Sequence, residues 1–331
     1  MRGSEPPRFA NSQIMKLRFA ADVRALLWAL VILPAAAGLP WLLTRQIAWA
    51  LPFSLYAGFS AGVLAHYQNH CPVFVGRRAN AAYADWLSIF YGYPIFAWIP
   101  THNANHHKFV NGPGDATITW RYTKKDTALA ASVYFFVSAY WQADLIRAFV
   151  TRARANNRAR YRQIATQYVC VAGAHAAMLA CAVSLRGLRL GLLTYACGLG
   201  ASAAMGMWGM MFINYIQHIH CDPASKYDHS RNFVGPLANW LVFNSGYHTA
   251  HHETAGAHWS TLPSLHADIA ANIHPELNQA SIAGYLFRTY VLGPWQPRFL
   301  PRQIGRPAYE APARRPAART VVAFEEVRDG K

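Results

Sequence analysis

Hydropathy along the chain alternates between long apolar runs and strongly polar ones. Four runs approach the roughly 20 residues a helix needs to cross a bilayer core: about 25–43, 47–65, 164–185 and 188–213. Only short polar turns, Thr44–Gln46 and Arg186–Gly187, separate the members of each pair, so the runs predict two helical hairpins. Two further apolar stretches read differently. Trp86–Ile99 is short and carries Pro94, which predicts a re-entrant or interfacial helix rather than a span. Ala128–Val150 is long enough to cross, but Gln142, Asp144 and Arg147 interrupt its second half. A crossing there would put Arg152, Arg154, Arg158, Arg160 and Arg162 opposite the preceding loop. Basic residues near spans favour the cytoplasm, so this stretch is expected to lie in the interface.

The same charge count orients the whole chain. Five Lys/Arg precede the first span, twelve lie in 67–163 and eleven follow Ile213, leaving Arg45, Arg186 and Arg189 for the outer turns. Both termini and every polar region are therefore expected in the cytoplasm. Asp22 and Arg24 precede the first apolar run and no small-residue cleavage pattern follows it, which does not read as a secretory signal. The predicted fold is an all-α integral membrane protein: four transmembrane helices in two hairpins plus a cytoplasmic helical cap. Its expected divisions are a cytoplasmic N-terminal segment (1–24), a membrane catalytic domain (25–293) and a Pro/Arg-rich tail without order (294–331).

Composition agrees with this. Hydrophobic residues make up 53% of the chain and charged ones 14%, with a formal charge of +16. A soluble domain carries charge on about a quarter of its residues. Basic excess can mean nucleic acid or an anionic membrane. With membrane-length apolar runs and no zinc-finger spacing or basic–aromatic patch, the membrane reading wins and no nucleic-acid partner is expected. Cys71, Cys170, Cys181, Cys197 and Cys221 form no C-x-x-C pair and read as small buried hydrophobes.

Candidate chemistry lies in the histidines. Ten of the fifteen fall in four short clusters: His66 and His70 in HYQNH, His102, His106 and His107 in HNANHH, His218 and His220 in NYIQHIH, and His248, His251 and His252 in HTAHH. Spacings of three and four share a helix face, which groups His66 with His70, His102 with His106, and His248 with His251 and His252. Two clusters begin where the second and fourth spans end, and the other two lie in polar regions assigned to the same side. All four can therefore meet. The isolated His175, His229, His258, His266 and His274 read as structural residues.

Imidazole suits zinc, copper, iron and nickel. A structural zinc site needs about four ligands, so nine or ten histidines point to two ions. Carboxylate-bridged di-iron bundles use Glu-x-x-His pairs, and none of Glu5, Glu253, Glu276, Glu310, Glu325 or Glu326 has a histidine three residues later. The zinc-protease H-E-x-x-H pattern is also absent, which leaves a histidine-rich di-iron site.

These motifs resemble the membrane fatty-acid desaturase and hydroxylase superfamily over roughly residues 50–275. HYQNH is similar to its first histidine box, HNANHH to its second and HTAHH to its third, with NYIQH supplying the Asn and His that precede the last box. The resemblance implies His66, His70, His102, His106, His107, His218, His248, His251 and His252 as ligands of two iron ions. It also implies Asn214 reaching one iron through water and His220 as a possible addition. It further implies dioxygen as co-substrate and desaturation of a fatty acyl chain. Fatty-acid or alkane hydroxylation, ketolation, or decarboxylation to a terminal alkene are alternatives on the same scaffold. A separate ferredoxin- or rubredoxin-type electron donor and membrane lipids are the expected partners, with an acyl carrier protein a further candidate. Asp85, Asp115, Asp222, Asp228 and Glu253 are candidates to orient ligand imidazoles, and Trp86–Ile99 and Met205–Phe212 to line an acyl tunnel. A bis-histidine heme protein or a metal transporter fits less well, since only His175 lies inside a span.

Overall fold

A computed structural model describes residues 15–310. The chain forms two compact units: residues up to 95 with 159–207, and 96–158 with residues from 208 onward.

The first unit is built from long helices. Helix α1, Asp22–Leu42, and helix α2, Ile47–His70, are long and apolar enough to cross a membrane. Within α1 the turn Trp28–Ile32 widens to π geometry just ahead of Pro34. Pro34 has no N–H to donate and its ring crowds the carbonyl one turn earlier, which a wider turn relieves. Gln46, in the left-handed region at φ 57°, then turns the chain into α2. Helix α3, Arg77–Tyr91, follows.

A third helical run, Arg158–His218, is also apolar enough to cross. Sixty-one residues of straight helix would measure about 90 Å, but Gly187 breaks the run at φ 73°, ψ 165°. The chain doubles back there. A Cβ on Gly191 would lie 2.5 Å from Val183 Cα, and His175 Nδ1 sits 2.9 Å from the hydroxyl of Tyr195, twenty residues on. The run thus divides at a glycine where the expected turn falls, into α4 (158–186) and α5 (188–218), and α5 is itself kinked at Gly198 (φ −105°, ψ −107°). Arg186 staples the turn to α1, donating to the carbonyls of Pro40 and Leu43 at 2.8 and 2.6 Å.

Small residues let the helices approach. A Cβ on Gly58 of α2 would lie 2.0 Å from the carbonyl oxygen of Ser202 on α5. The opposite faces are apolar and uncovered: Leu27, Val31, Val169, Leu185 and Leu192 are all exposed. Such a surface suits lipid rather than water.

The second unit holds a wide helical turn at 99–109, a 29-residue helix α6, Ala128–Asn156, the end of α5, and a C-terminal region of short pieces. Thr127 caps α6, its Oγ1 accepting from Ala130 N. The C-terminal region contains a short helix, His248–Glu253, a parallel two-residue pairing of Asn232–Phe233 with Asn278–Gln279, and a helical piece at 282–292. Its core gathers Tyr134, Tyr215, Ile216, Phe233 and Tyr285. The first part of the segment expected to lack order runs along this unit: Ile304 N donates to the His220 carbonyl and Arg306 N to Asp222. The rest of that tail, and the start of the N-terminal segment, lie outside the described residues.

Candidate metal centre

The second unit brings seven of the expected ligands together in two sets. One consists of His106, His218, His248 and His252, whose ligand atoms all lie within 4.8 Å of one another. The Nε2 of His218 is 3.1 Å from that of His106 and 2.9 Å from that of His248, and His252 Nε2 is 3.1 Å from His248 Nε2. Three elements supply them: the wide turn carries His106, the last residue of α5 is His218, and the His248–Glu253 helix presents His248 and His252 one turn apart.

Hydrogen bonds at the far ring nitrogens orient two of these imidazoles. His106 Nδ1 lies 2.8 Å from Asp115 Oδ2, and His218 Nδ1 lies 3.0 Å from the carbonyl of His229. Both partners only accept, so each Nδ1 donates and each Nε2 lone pair points into the cluster. Lone pairs 3 Å apart repel unless a cation lies between them. A metal–nitrogen bond of about 2.1 Å with ligands at right angles spans about 3 Å between nitrogens, matching the distances found. Burial pushes the His252 imidazole far below its usual pKa, reinforced by the histidines around it, so it too is held neutral and ready to ligate.

The second set in this unit is His102, His107 and His251. His107 Nε2 is 3.0 Å from His102 Nε2, and the His107 and His251 rings are 4.8 Å apart. The helix-face expectation paired His102 with His106. The turn Ile99–His106 is π-helical instead, so residues five apart come into register; His107 meets His102 and His106 joins the other set. The third box divides likewise, His248 and His252 to one set and His251 to the other. The two sets are neighbours: the rings of His107 and His252 are 4.4 Å apart. Burial takes His251 down to about 3, helped by His106.

His66 and His70 lie in the first unit at the end of α2, their rings 4.7 Å apart and edge to face. Asn214 sits one turn before His218 and donates to the hydroxyl of Tyr134 at 2.9 Å, and Tyr134 in turn donates to the Thr117 carbonyl. His220 falls outside both sets; at φ 62° it turns the chain out of α5, and its Nε2 is 3.5 Å from Asp126.

Of the carboxylates named as candidates to orient ligands, Asp115 does so. It is fully buried and accepts from His106, from Asn111 N and Thr117 N at 2.7 Å each, and from Thr117 Oγ1 at 2.7 Å. Burial alone would raise its pKa; His106 and the Thr117 hydrogen bonds outweigh that and hold it below the usual carboxylate range. Asp222 and Asp228 serve turns, accepting from Ala224 N and His274 N. Glu253 reaches a ligand only indirectly, 3.5 Å from His229 Nε2.

Two contributors escaped the sequence reading. His229, taken as structural, accepts from His218 through its carbonyl and packs its ring 5.2 Å from that of His252. Asn111, at φ 62°, donates to the His218 carbonyl at 3.1 Å, sealing the end of α5. Nothing in their local pattern marks either one. His258 and His274 behave as read, capping Ser260 N and Glu276 N, while His175 bonds the Ile89 carbonyl within the helices.

Buried, all-imidazole donor sets that could hold metal ions thus sit on a helical scaffold with helices long and apolar enough to cross a membrane. The sequence profile of the Fatty acid desaturase family matches residues 46–282, and the chain belongs to that family. No curated protein matches the sequence.

Proposed function

We propose that the chain is a membrane-embedded, dioxygen-dependent fatty acyl desaturase holding two iron ions. The observation that carries the reading is the pair of neighbouring imidazole sets, one of them with four nitrogens spaced for a single ion. His66 and His70, as the first histidine box, would be further iron ligands, and Asn214 a ligand through water. Iron held by these imidazoles would activate dioxygen, the oxidant, for breaking an unactivated C–H bond; the protein supplies orientation and a dry site. Removing one hydrogen from each of two adjacent methylenes and taking dioxygen to two waters consumes two electrons and two protons. A separate ferredoxin- or rubredoxin-type donor would deliver the electrons. Asp115 and His229 keep the His106 and His218 imidazoles in the ligating tautomer, and Asn111 closes the helix end behind them.

Four crossings, with α4 and α5 as separate spans, and a cytoplasmic site follow from the charge distribution. The test is gas chromatography–mass spectrometry of lipids and headspace from cells expressing the full chain or His252→Ala, with a competent electron donor and ample iron. A new double bond absent from the variant is expected. A new alcohol or a one-carbon-shorter alkene would replace desaturation with hydroxylation or decarboxylation, and identical profiles would overturn acyl-chain chemistry altogether.

A further inference from the structure

Away from the histidines, the second unit contains a cleft of about 140 Å³ walled by Arg231, Arg288 and Arg302, with Glu276, Gln279, Tyr285 and Phe299 among its other residues. That volume is several times the roughly 30 Å³ share of a liquid water molecule, enough for a small anionic group. Arg231 is unusual: it is 2% exposed. One guanidinium nitrogen donates to the Ile216 carbonyl, and the group lies 4.7 Å over the Tyr285 ring. Its buried Nε has no hydrogen-bond acceptor. Among the described residues no carboxylate lies within ion-pair distance of it. Asp126 is close enough to be felt electrostatically, but its Oδ1 accepts from the hydroxyls of Tyr215 and Tyr290 at 3.2 and 2.9 Å and its Oδ2 lies 3.5 Å from His220 Nε2, so neither oxygen pairs with Arg231.

Burying a guanidinium without an anion is costly. Arg288 and Arg302 at the exposed rim add positive charge, against the one carboxylate of Glu276. Three arginines and one glutamate thus line the cleft, with Arg288 also donating to Gln279 at 2.8 Å, a charge balance suited to a phosphate. An apolar stripe lies beside Arg288 along the chain. Phe287, Val291 and Trp295, spaced by four along the 282–292 helical piece and just beyond it, are all exposed, as is Leu300. Arg288 adjoins Phe287 in that stripe. An apolar stripe flanked by arginine is the pattern of an element lying at a lipid interface.

We propose that this cleft binds the phosphate of an acidic phospholipid headgroup, with Arg231 at its floor, Arg288 and Arg302 at its rim, and the Phe287–Val291–Trp295 stripe against the acyl region. The ligand is phosphate chemistry that a free phosphate shares; the apolar stripe selects the lipid.

The full chain is assembled into phosphatidylcholine discs with or without phosphatidylglycerol. Lipid retained after extraction into detergent is then counted by native mass spectrometry, and thermal stability is recorded in parallel. Selective retention of phosphatidylglycerol, accompanied by a higher melting temperature, is expected. Arg288→Gln with Arg302→Gln changes only exposed positions, and should weaken retention about tenfold while melting in pure phosphatidylcholine stays unchanged. Arg231→Gln should abolish retention. Inorganic phosphate added to phosphatidylcholine discs distinguishes the sources: stabilisation equal to that by the lipid would overturn the headgroup assignment. Equal retention of both lipids, or undiminished retention in the double variant, would overturn the site itself.

Discussion

Asp115→Asn tests the hydrogen-bonded support behind the candidate metal centre. One carboxylate oxygen accepts from the N–H and hydroxyl of Thr117; the other accepts from Asn111 N and His106 Nδ1. An amide keeps one oxygen for Thr117 but turns an NH₂ group toward two donors, so both hydrogen bonds on that side are lost. Bonds to a charged acceptor are worth about 1.5–3 kcal/mol each, giving about 3–6 kcal/mol as an upper range. Relief of a buried charge offsets part of this, so a loss nearer about 3 kcal/mol is expected. His106 would also lose the partner that fixes its tautomer, and disturbing such a partner costs about 10–100-fold in metal affinity. The assay is competitive chelator titration of the purified protein with iron followed by elemental analysis, beside thermal unfolding in the same detergent. Asp144→Asn is the control: that carboxylate is 83% exposed and pairs only with the exposed Arg147, so no measurable change is expected. Wild-type iron affinity and stability in Asp115→Asn would refute the idea that this carboxylate orients the site.

Acid should destabilise the metal-free chain through the same centre. The folded-state pKa of His251 is depressed to about 3, so the unfolded chain takes up protons below its own value of about 6.5 while the folded one does not. Stability should be fully present above that pH and fall progressively as the pH drops toward 3; a flat profile of unfolding against pH over this range would contradict it. Asp115, also depressed, adds its loss only below about 3.9. Gly58→Val should lower stability by at least about 1–3 kcal/mol, because even its Cβ would overlap the Ser202 carbonyl at 2.0 Å; a normal melting temperature would show that α2 and α5 can part cheaply. Gly187→Ala has open space around it but keeps φ 73°, so a cost of about 1–2 kcal/mol is expected from backbone strain alone, read by thermal unfolding.

Hydropathy made much of the scaffold legible. Membrane-length runs, the turn at Gly187 and the break near Gln46 all follow from apolar length interrupted by residues that end helices, which is local information. The histidine boxes were legible for a related reason: short spacings such as HTAHH confine several imidazoles to a few helical turns wherever those turns lie. The polar stretches were read less completely. Gln303, Ile304 and Arg306 bond to the chain after α5, a docking that the Pro- and Arg-rich composition of their segment does not announce.

Which imidazoles gather into which set was beyond the reach of spacing. An α-helical face pairs His102 with His106, yet the turn through them is π-helical, and a single extra residue in the turn is enough to exchange His106 for His107. His251 parts from His248 and His252 because ligand sets are assembled from three or four separate elements, each approaching from its own direction. The roles of Asp115, Asn111 and His229 are of the same kind. Each acts on a residue at least nine positions away, through a hydrogen bond that exists only once the chain has closed around it. The sequence by itself determines membrane-length helices and a supply of clustered imidazoles able to ligate metal, because hydrophobic length and helical period are local properties. Tertiary structure alone decides the pairing, tautomer and burial of those ligands, because all three depend on groups brought together by folding.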